Sequence, residues 1–177
     1  MSRQTIRRLS EGESVDSFNC GDDYQDLNEF IVHDAPFYRS ELLAVSYIVE
    51  DDNRTSAYFS LANDRIGIED FESNAAFNRF RRKRFINAKR IRHYPAVKIC
   101  RLGVCVDRQG TGLGTRLINM IKLYFLEDNK SGCRYITVDA HRGAVRFYIK
   151  NVYQMLTEND VNDQTRLMYF DLMALKV

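Results

Sequence analysis

Proline is scarce, two in 177 residues, and there are only nine glycines. Nothing in the chain therefore has the composition of a flexible linker, and no internal repeat or low-complexity segment interrupts it. The length suits one domain with a proper core and is short for two, so a single domain over residues 1–177 is expected. Long apolar runs are missing as well. The opening MSRQTIRRLSEGESVDSF lacks the apolar centre of a secretory signal, and no run approaches a membrane span. The expectation is a soluble, cytoplasmic protein with no membrane partner. Paired-ligand spacing is absent too. Cys20, Cys100, Cys105 and Cys133 show no CxxC motif, and with His33, His93 and His141 they form no HExxH pattern. No metal site is expected, and four free thiols fit a reducing compartment.

Acidic residues are missing from one long stretch. Between Ser73 and Val106 there is no Asp or Glu against ten Lys and Arg, which leaves the rest of the chain with 16 basic and 24 acidic residues. Arg79, Arg81, Arg82, Lys83, Arg84, Lys89, Arg90 and Arg92, with Phe80 and Phe85 interleaved, have the form of an RNA-binding surface. The alternatives are a solvated helix face, arginines paired with acids elsewhere in the fold, or contacts to the phosphates of a cofactor.

What is present reads as alternating strands and helices. QTIRRL suits a short first strand. CGDDYQDLNEFIVHDA places Leu27, Phe30 and Ile31 on one helical face, with Asp22 or Asp23 as N-cap. ELLAVSYIVEDDNRTSAYFSLAND gives two β-rich runs around a polar turn at Asp51–Thr55, a hairpin. A short helix starts near Ser73 with a cationic outer face. The run from Ile99 to Val106 is apolar at both parities, as in a strand buried on both faces. Leu113, Leu117, Ile121 and Phe125 then recur every four residues in a helix that ends near Asn129–Gly132. CRYITVDA is a strand, HRGAVRFYIKN a helix and TRLMYFDLMAL a final strand. The fold class is α/β (α+β), a mixed central sheet with helices on both faces.

Between the buried strand and the long helix lies VCVDRQGTGLGTRL, with glycines at 110, 112 and 114. Glycines at a strand-to-helix turn permit left-handed angles and leave N–H groups unshielded. The helix that follows adds unpaired donors and the positive end of its dipole, so together they suit a phosphate or pyrophosphate. A tight turn with close strand–helix packing is the structural alternative. Two common phosphate loops are excluded. Thr115 and Arg116 stand where a Walker A loop needs Lys and Ser or Thr. A dinucleotide fingerprint wants GxGxxG near the start of its βαβ unit, with an acid about 20 residues on.

QGTGLG, Gln109 to Gly114, resembles the Gln/Arg-x-x-Gly-x-Gly/Ala signature of the GNAT acetyltransferases. RLGV, Arg101 to Val104, is similar to the strand ahead of that signature, and AVRFYIKNVY to the family helix A-x-x-F-Y-x-K-x-G-F. His141 stands where many members have Asn, and Val152 replaces the usual Gly. The amino-terminal FNCGDDYQDLNEFI, the strand YFSLA and the basic stretch before YPA resemble a toxin-like branch that acetylates the amino acid on charged tRNA.

The resemblance implies a GNAT fold and acetyl-CoA as acyl donor. The backbone of Leu102, Gly103 and Val104 would pair with the pantetheine arm. Gln109, Gly110, Thr111, Gly112, Leu113, Gly114 and Thr115 would hold the pyrophosphate, and His141 would reach the cofactor arm. Tyr148 would be the general acid for the departing thiolate, its alternative being a packed helix aromatic. No general base is identified; Glu69 and Asp70 read as exposed loop acids. The acceptor would be aminoacyl-tRNA, with a small-molecule or protein amine as the rival, and a non-catalytic acyl-CoA- or RNA-binding module as a rival of another class. A protein antitoxin and a homodimer are partners the resemblance allows.

Overall fold

The computed structural model describes residues 4–52, 54–82, 84–85, 91–127 and 131–176. Its strands are β1 (Thr5–Arg8), β2 (Val45–Asp51), β3 (Arg54–Gly67), β4 (His93–Val104), β5 (Tyr135–His141), β6 (Gln154–Met155) and β7 (Thr165–Asp171). They form one mixed sheet in the order β1-β2-β3-β4-β5-β7-β6. β4 and β5 run parallel, while β1 with β2, β2 with β3, and β7 with β5 and β6 are antiparallel. The helices are α1 (Gln25–Glu29), α2 (Ala35–Ser40), α3 (Asn74–Arg82), α4 (Leu113–Glu127) and α5 (Val145–Lys150). The expected four-residue recurrence of α4 ends on a Phe125 that is only partly buried, but it is buried over Leu113, Leu117 and Ile121, which with Ile118 are each no more than 3% exposed. Each such side chain contributes about 1.5–3 kcal/mol through burial. The chain divides into two compact units.

The first unit comprises Met1–Ala62 and Ile99–Met120. The expected hairpin is β2 and β3, its turn tightened by Asp52 at φ +49. The expected helix near Asp22 is longer than the sequence pattern and irregular. A 3₁₀ turn at Asp22–Tyr24 leads into α1, then a π-type turn at Phe30–Asp34, then α2. The wide turn falls where Pro36 has no N–H to offer the carbonyl of Val32. Neither Asp22 nor Asp23 caps the helix; Asn28 does a related job from inside it, its Oδ1 accepting from the Cys20 N–H at 2.8 Å. The core here is Phe18, Leu27, Phe30, Ile31, Ile48, Tyr58 and Cys105. Tyr58 is fully buried, its hydroxyl donating to the Leu27 carbonyl at 2.7 Å and its ring edge-on to Phe18 at 5.0 Å.

The second unit comprises Asn63–Lys98 and Ile121–Val177. β5 pairs with β7 along its whole length. β6 is a two-residue strand that periodicity could not signal. The expected final strand stops at Asp171 because that carboxylate accepts the Met173 N–H at 3.0 Å, turning Leu172–Leu175 into a 3₁₀ turn. Ser73 caps α3, its Oγ accepting from the Ala76 N–H at 3.1 Å. The core is aromatic: Phe77, Phe80, Tyr94, Tyr135 and Tyr169.

After α5, Asn151 ends the helix and Val152 takes φ +68. A β-branched residue is an outlier in the left-handed region, where glycine is at ease. Val152 is 63% exposed, so its side chain returns little burial for that strain. Val152→Gly is therefore expected to stabilise the chain by about 1 kcal/mol and raise Tm by about 2–4 °C. An unchanged or lower Tm in a thermal melt would show that the turn is not strained.

Candidate functional site

The glycine loop is anchored before it begins. Past Val104, the Cys105 N–H donates to the Ser56 carbonyl at 2.9 Å and the Val106 N–H to the Asn19 carbonyl at 3.0 Å. A 3₁₀ turn at Val106–Arg108 follows, and the Arg108 guanidinium pairs with buried Asp51. The Gln109 Nε2 donates to the carbonyls of Cys20 at 2.8 Å and Val104 at 3.0 Å, and its backbone N–H to the Cys105 carbonyl at 3.1 Å. Its donors are thus engaged by the protein, and Gln109 braces the start of the loop.

Beyond Gln109 the donors are free. Gly110 and Gly112 sit at φ +74 and +80, angles that turn the chain toward α4 and that L side chains rarely adopt. The N–H groups from Gly110 to Thr115 donate to no protein acceptor among the described residues. A Cβ at Gly110 would meet nothing within 4 Å, so the loop faces open space there. The Thr111 hydroxyl is turned inward, donating to the Arg108 carbonyl at 2.7 Å. Arg116, which no motif in the sequence singles out, reaches back across the loop to the Thr111 carbonyl at 3.3 Å. It lies four residues after Gly112, one helical turn on, and that spacing is the signal that could have found it. Six N–H groups without a protein acceptor among the described residues, a helix amino-terminus and an exposed guanidinium make a donor set suited to a pyrophosphate.

Leu102, Gly103 and Val104 form the last part of β4. The parallel register joins Ala96, Val97 and Lys98 to Tyr135, Ile136 and Thr137 and ends there, while β4 continues to Val104. Gly103 is buried against aromatic rings: a Cβ on it would stand 2.8 Å from the Tyr58 ring and 2.9 Å from Phe18.

Tyr148, on α5, is 5% exposed. Its ring packs edge-on to Phe147 at 5.2 Å and Tyr153 at 5.3 Å. Its hydroxyl makes no hydrogen bond among the described residues, and burial raises its pKa, so the phenol keeps its proton. His141 closes β5 and is exposed. Of the two loop acids, Glu69 pairs with Arg65 at 2.8 Å. Asp70 is half-buried, accepts the Gly67 N–H at 2.8 Å and has its pKa raised by burial, which corrects its reading as an exposed acid.

The basic stretch is divided in its roles. α3 buries Ala76, Phe77 and Phe80, and two of the expected RNA-facing arginines turn inward. Arg84 lies over Phe80 at 4.4 Å and donates to the Phe80 carbonyl at 2.6 Å and the Tyr169 hydroxyl at 3.0 Å. Its Nε is 3.8 Å from Asp171. Arg81 stacks on Phe77 at 5.0 Å and donates to Asn78 and the Ile91 carbonyl. Phe85, partly buried, stacks on Tyr94 at 4.1 Å against the core. Arg79, Arg82 and Arg92 keep their side chains outside that core. Arg79 borders a hollow of about 280 Å³ lined also by Phe71, Phe80, Met155 and Tyr169. Lys83, Lys89 and Arg90 lie outside the described residues. Among the described residues no three His, Cys, Asp or Glu side chains converge on a metal-sized site, and no helix is long and apolar enough to cross a membrane.

A family model described as an acetyltransferase (GNAT) domain matches residues 62–171. No curated protein matches the chain in sequence. Among solved structures, AtaT complexed with acetyl-methionyl-tRNAfMet is similar at TM-score 0.72 and 19% identity, covering 98% of each chain. A tyrosine-to-phenylalanine mutant of KacT is similar at TM-score 0.73 and 20% identity, covering 98% of this chain and 97% of that one. A mutant AtaT toxin bound to the C-terminus of the antitoxin AtaR and acetyl-CoA is similar at 0.71 and 19%, covering 98% and 96%.

Proposed function

The chain belongs to the GNAT acetyltransferase family, and from that premise we propose that its acceptor is the amino group of an aminoacyl-tRNA. It is an acetyl-CoA-dependent N-acetyltransferase, moving an acetyl group from a thioester to a primary amine. The observation that carries the site assignment is the run of six N–H groups at Gly110–Thr115 without acceptors among the described residues, opening a 15-residue helix. Those amides and Arg116 hold the pyrophosphate. The outer part of β4, past the register that ends at Lys98, offers Leu102–Val104 to the pantetheine arm as a strand edge does to a peptide. The deprotonated amine forms the new C–N bond as the C–S bond breaks. Tyr148 gives its proton to the departing sulfur, and the proton shed by the amine restores the phenol through solvent. An α-amino group has a reference pKa of about 7.7–8.0, so an aminoacyl acceptor needs little help to lose its proton. That suits a chain in which no general base is legible.

The tRNA acceptor is supported by the acid-free stretch and by the fold's likeness to a toxin solved with an acetylated aminoacyl-tRNA. A protein antitoxin, as in the AtaT complex with AtaR, belongs to the same reading. The test is to incubate the protein with acetyl-CoA and total charged tRNA and to look for acetylated aminoacyl ends by mass spectrometry. Acetylated ends are the expected result. Their absence, with acetyl-CoA shown to bind, would move the acceptor to a small-molecule or protein amine. Replacing Arg79, Arg82 and Arg92 should weaken tRNA binding and lower the slope of log affinity against log salt by about one for each phosphate left without its arginine. An unchanged slope would remove these arginines from the interface.

A further inference from the structure

Lys122 is a buried cation outside the loop and the basic stretch. It lies on α4 within the second unit and is 5% exposed. No carboxylate pairs with it among the described residues. Its Nζ donates to the Asn151 carbonyl at 2.7 Å, sits 3.9 Å from the centre of the Phe170 ring and lies 5.4 Å from that of Tyr153. Asn151 is the residue on which α5 ends. Its N–H bonds back to the carbonyls of Phe147 and Tyr148, and the Tyr153 N–H returns to the Tyr148 carbonyl at 3.0 Å. Tyr153 in turn packs on Tyr148 at 5.3 Å and on Phe170 at 5.7 Å.

We infer that Lys122 is the positioning residue for Tyr148: its ammonium grips the carboxyl-terminal turn of α5 and, through the Tyr153 ring, fixes where the Tyr148 phenol points. This rests on the reading of Tyr148 as the acid.

Two physical features make the position more than a packing site. A cation at the carbonyl end of a helix meets the negative end of the dipole and satisfies a carbonyl that the helix leaves unpaired. Burial without a counter-ion is costly, and it pulls the Lys122 pKa down to about 8. The titratable side chain beside it, Tyr153, is a phenol that burial keeps neutral, so it does not offset that cost. A methionine of similar length would fill the space without a charge, but it would leave the Asn151 carbonyl without its donor. The lysine does what a methionine cannot, which is to hold one carbonyl and two ring faces at once.

The test is Lys122→Met, made alone and together with Tyr148→Phe. With the single variant folded, as thermal melting checks, amide exchange at Asn151 and Tyr153 should quicken at least about tenfold, while exchange at Ile136 and Val138 of β5 is unchanged. With acetyl-CoA and total charged tRNA, kcat should fall by about tenfold at unaltered KM for acetyl-CoA. In the Tyr148→Phe background the lysine change should cost nothing further, since the group it positions is gone. Unaltered exchange at Asn151 and Tyr153 would overturn the grip. An equal kcat loss in both backgrounds would overturn the positioning role while leaving Tyr148 as acid. Full turnover by Tyr148→Phe alone would instead sink the acid reading, and the catalytic half of this inference with it.

Discussion

Tyr148→Phe is expected to lose about 10²- to 10⁴-fold in kcat while its affinity for acetyl-CoA and its Tm stay at wild-type values. The size follows from the leaving group. A thiol has a reference pKa of about 8.5, so a thiolate departs unaided only sluggishly, and a positioned donor removes that penalty. The selectivity follows from the structure. The Tyr148 ring is held by Phe147 and Tyr153, and phenylalanine keeps both contacts. The hydroxyl removed by the substitution makes no hydrogen bond among the described residues, so it leaves no orphaned partner in the fold. Burial raises the phenol's pKa, so its proton is present throughout the neutral range. The pH–rate profile of the wild type should therefore show no limb from Tyr148 below about pH 10. Steady-state turnover, an acetyl-CoA binding isotherm and a thermal melt check the three parts. A variant with wild-type kcat would return Tyr148 to the helix core. A variant with a much lowered Tm would show that the hydroxyl has a structural partner.

Gly103→Ala is the second large effect, on stability. The added Cβ would lie 2.8 Å from the Tyr58 ring and 2.9 Å from Phe18, closer than carbon atoms tolerate. Neither ring can give way cheaply. Tyr58 is pinned by its bond to the Leu27 carbonyl and by edge-on contact with Phe18, and it is 0% exposed. Overpacking of this kind costs about 2–3 kcal/mol, which for a chain of this length lowers Tm by roughly 5–10 °C. The same displacement of β4 shifts the backbone at Leu102–Val104, so KM for acetyl-CoA should rise as Tm falls. An unchanged Tm would mean that the rings turn aside into space the packing does not reveal. In contrast to the loop glycines, Gly103 is needed for the closeness of its neighbours and not for its backbone angle.

Much of the fold is legible in one dimension. The four-residue recurrence of Leu113, Leu117 and Ile121 is enough for α4. The apolar run from Ile99 does lie on β4, but it is not buried on both faces: Ile99 and Gly103 are buried, Cys100, Leu102 and Val104 are only partly so, and Val106, past the end of the strand, is exposed. The helix signal is strong because a buried stripe imposes its spacing on every turn of the helix. Short elements escape. β6 has only two residues, too few for an alternation, and the π-type turn at Phe30–Asp34 leaves no trace in hydrophobic spacing. The amino-terminal helix is visible in the pattern, but its entry is secured by Asn28 and not by the aspartates that precede it.

By itself, the sequence determined the family and the chemistry. QGTGLG ahead of an amphipathic helix, with AVRFYIKNVY downstream, is a local arrangement, and local arrangements survive in one dimension. Only the tertiary structure decided what each charged or polar side chain is for. Gln109 spends its donors on Cys20 and Val104; Arg81 and Arg84 turn into the fold while Arg79, Arg82 and Arg92 stay out; Lys122 reaches a helix end 29 residues away. The reason is that a long polar side chain has no periodicity to betray its partner. Its role is set by which carbonyl, ring or carboxylate the fold brings within about 3–5 Å of its tip, and that distance is not written in the order of residues.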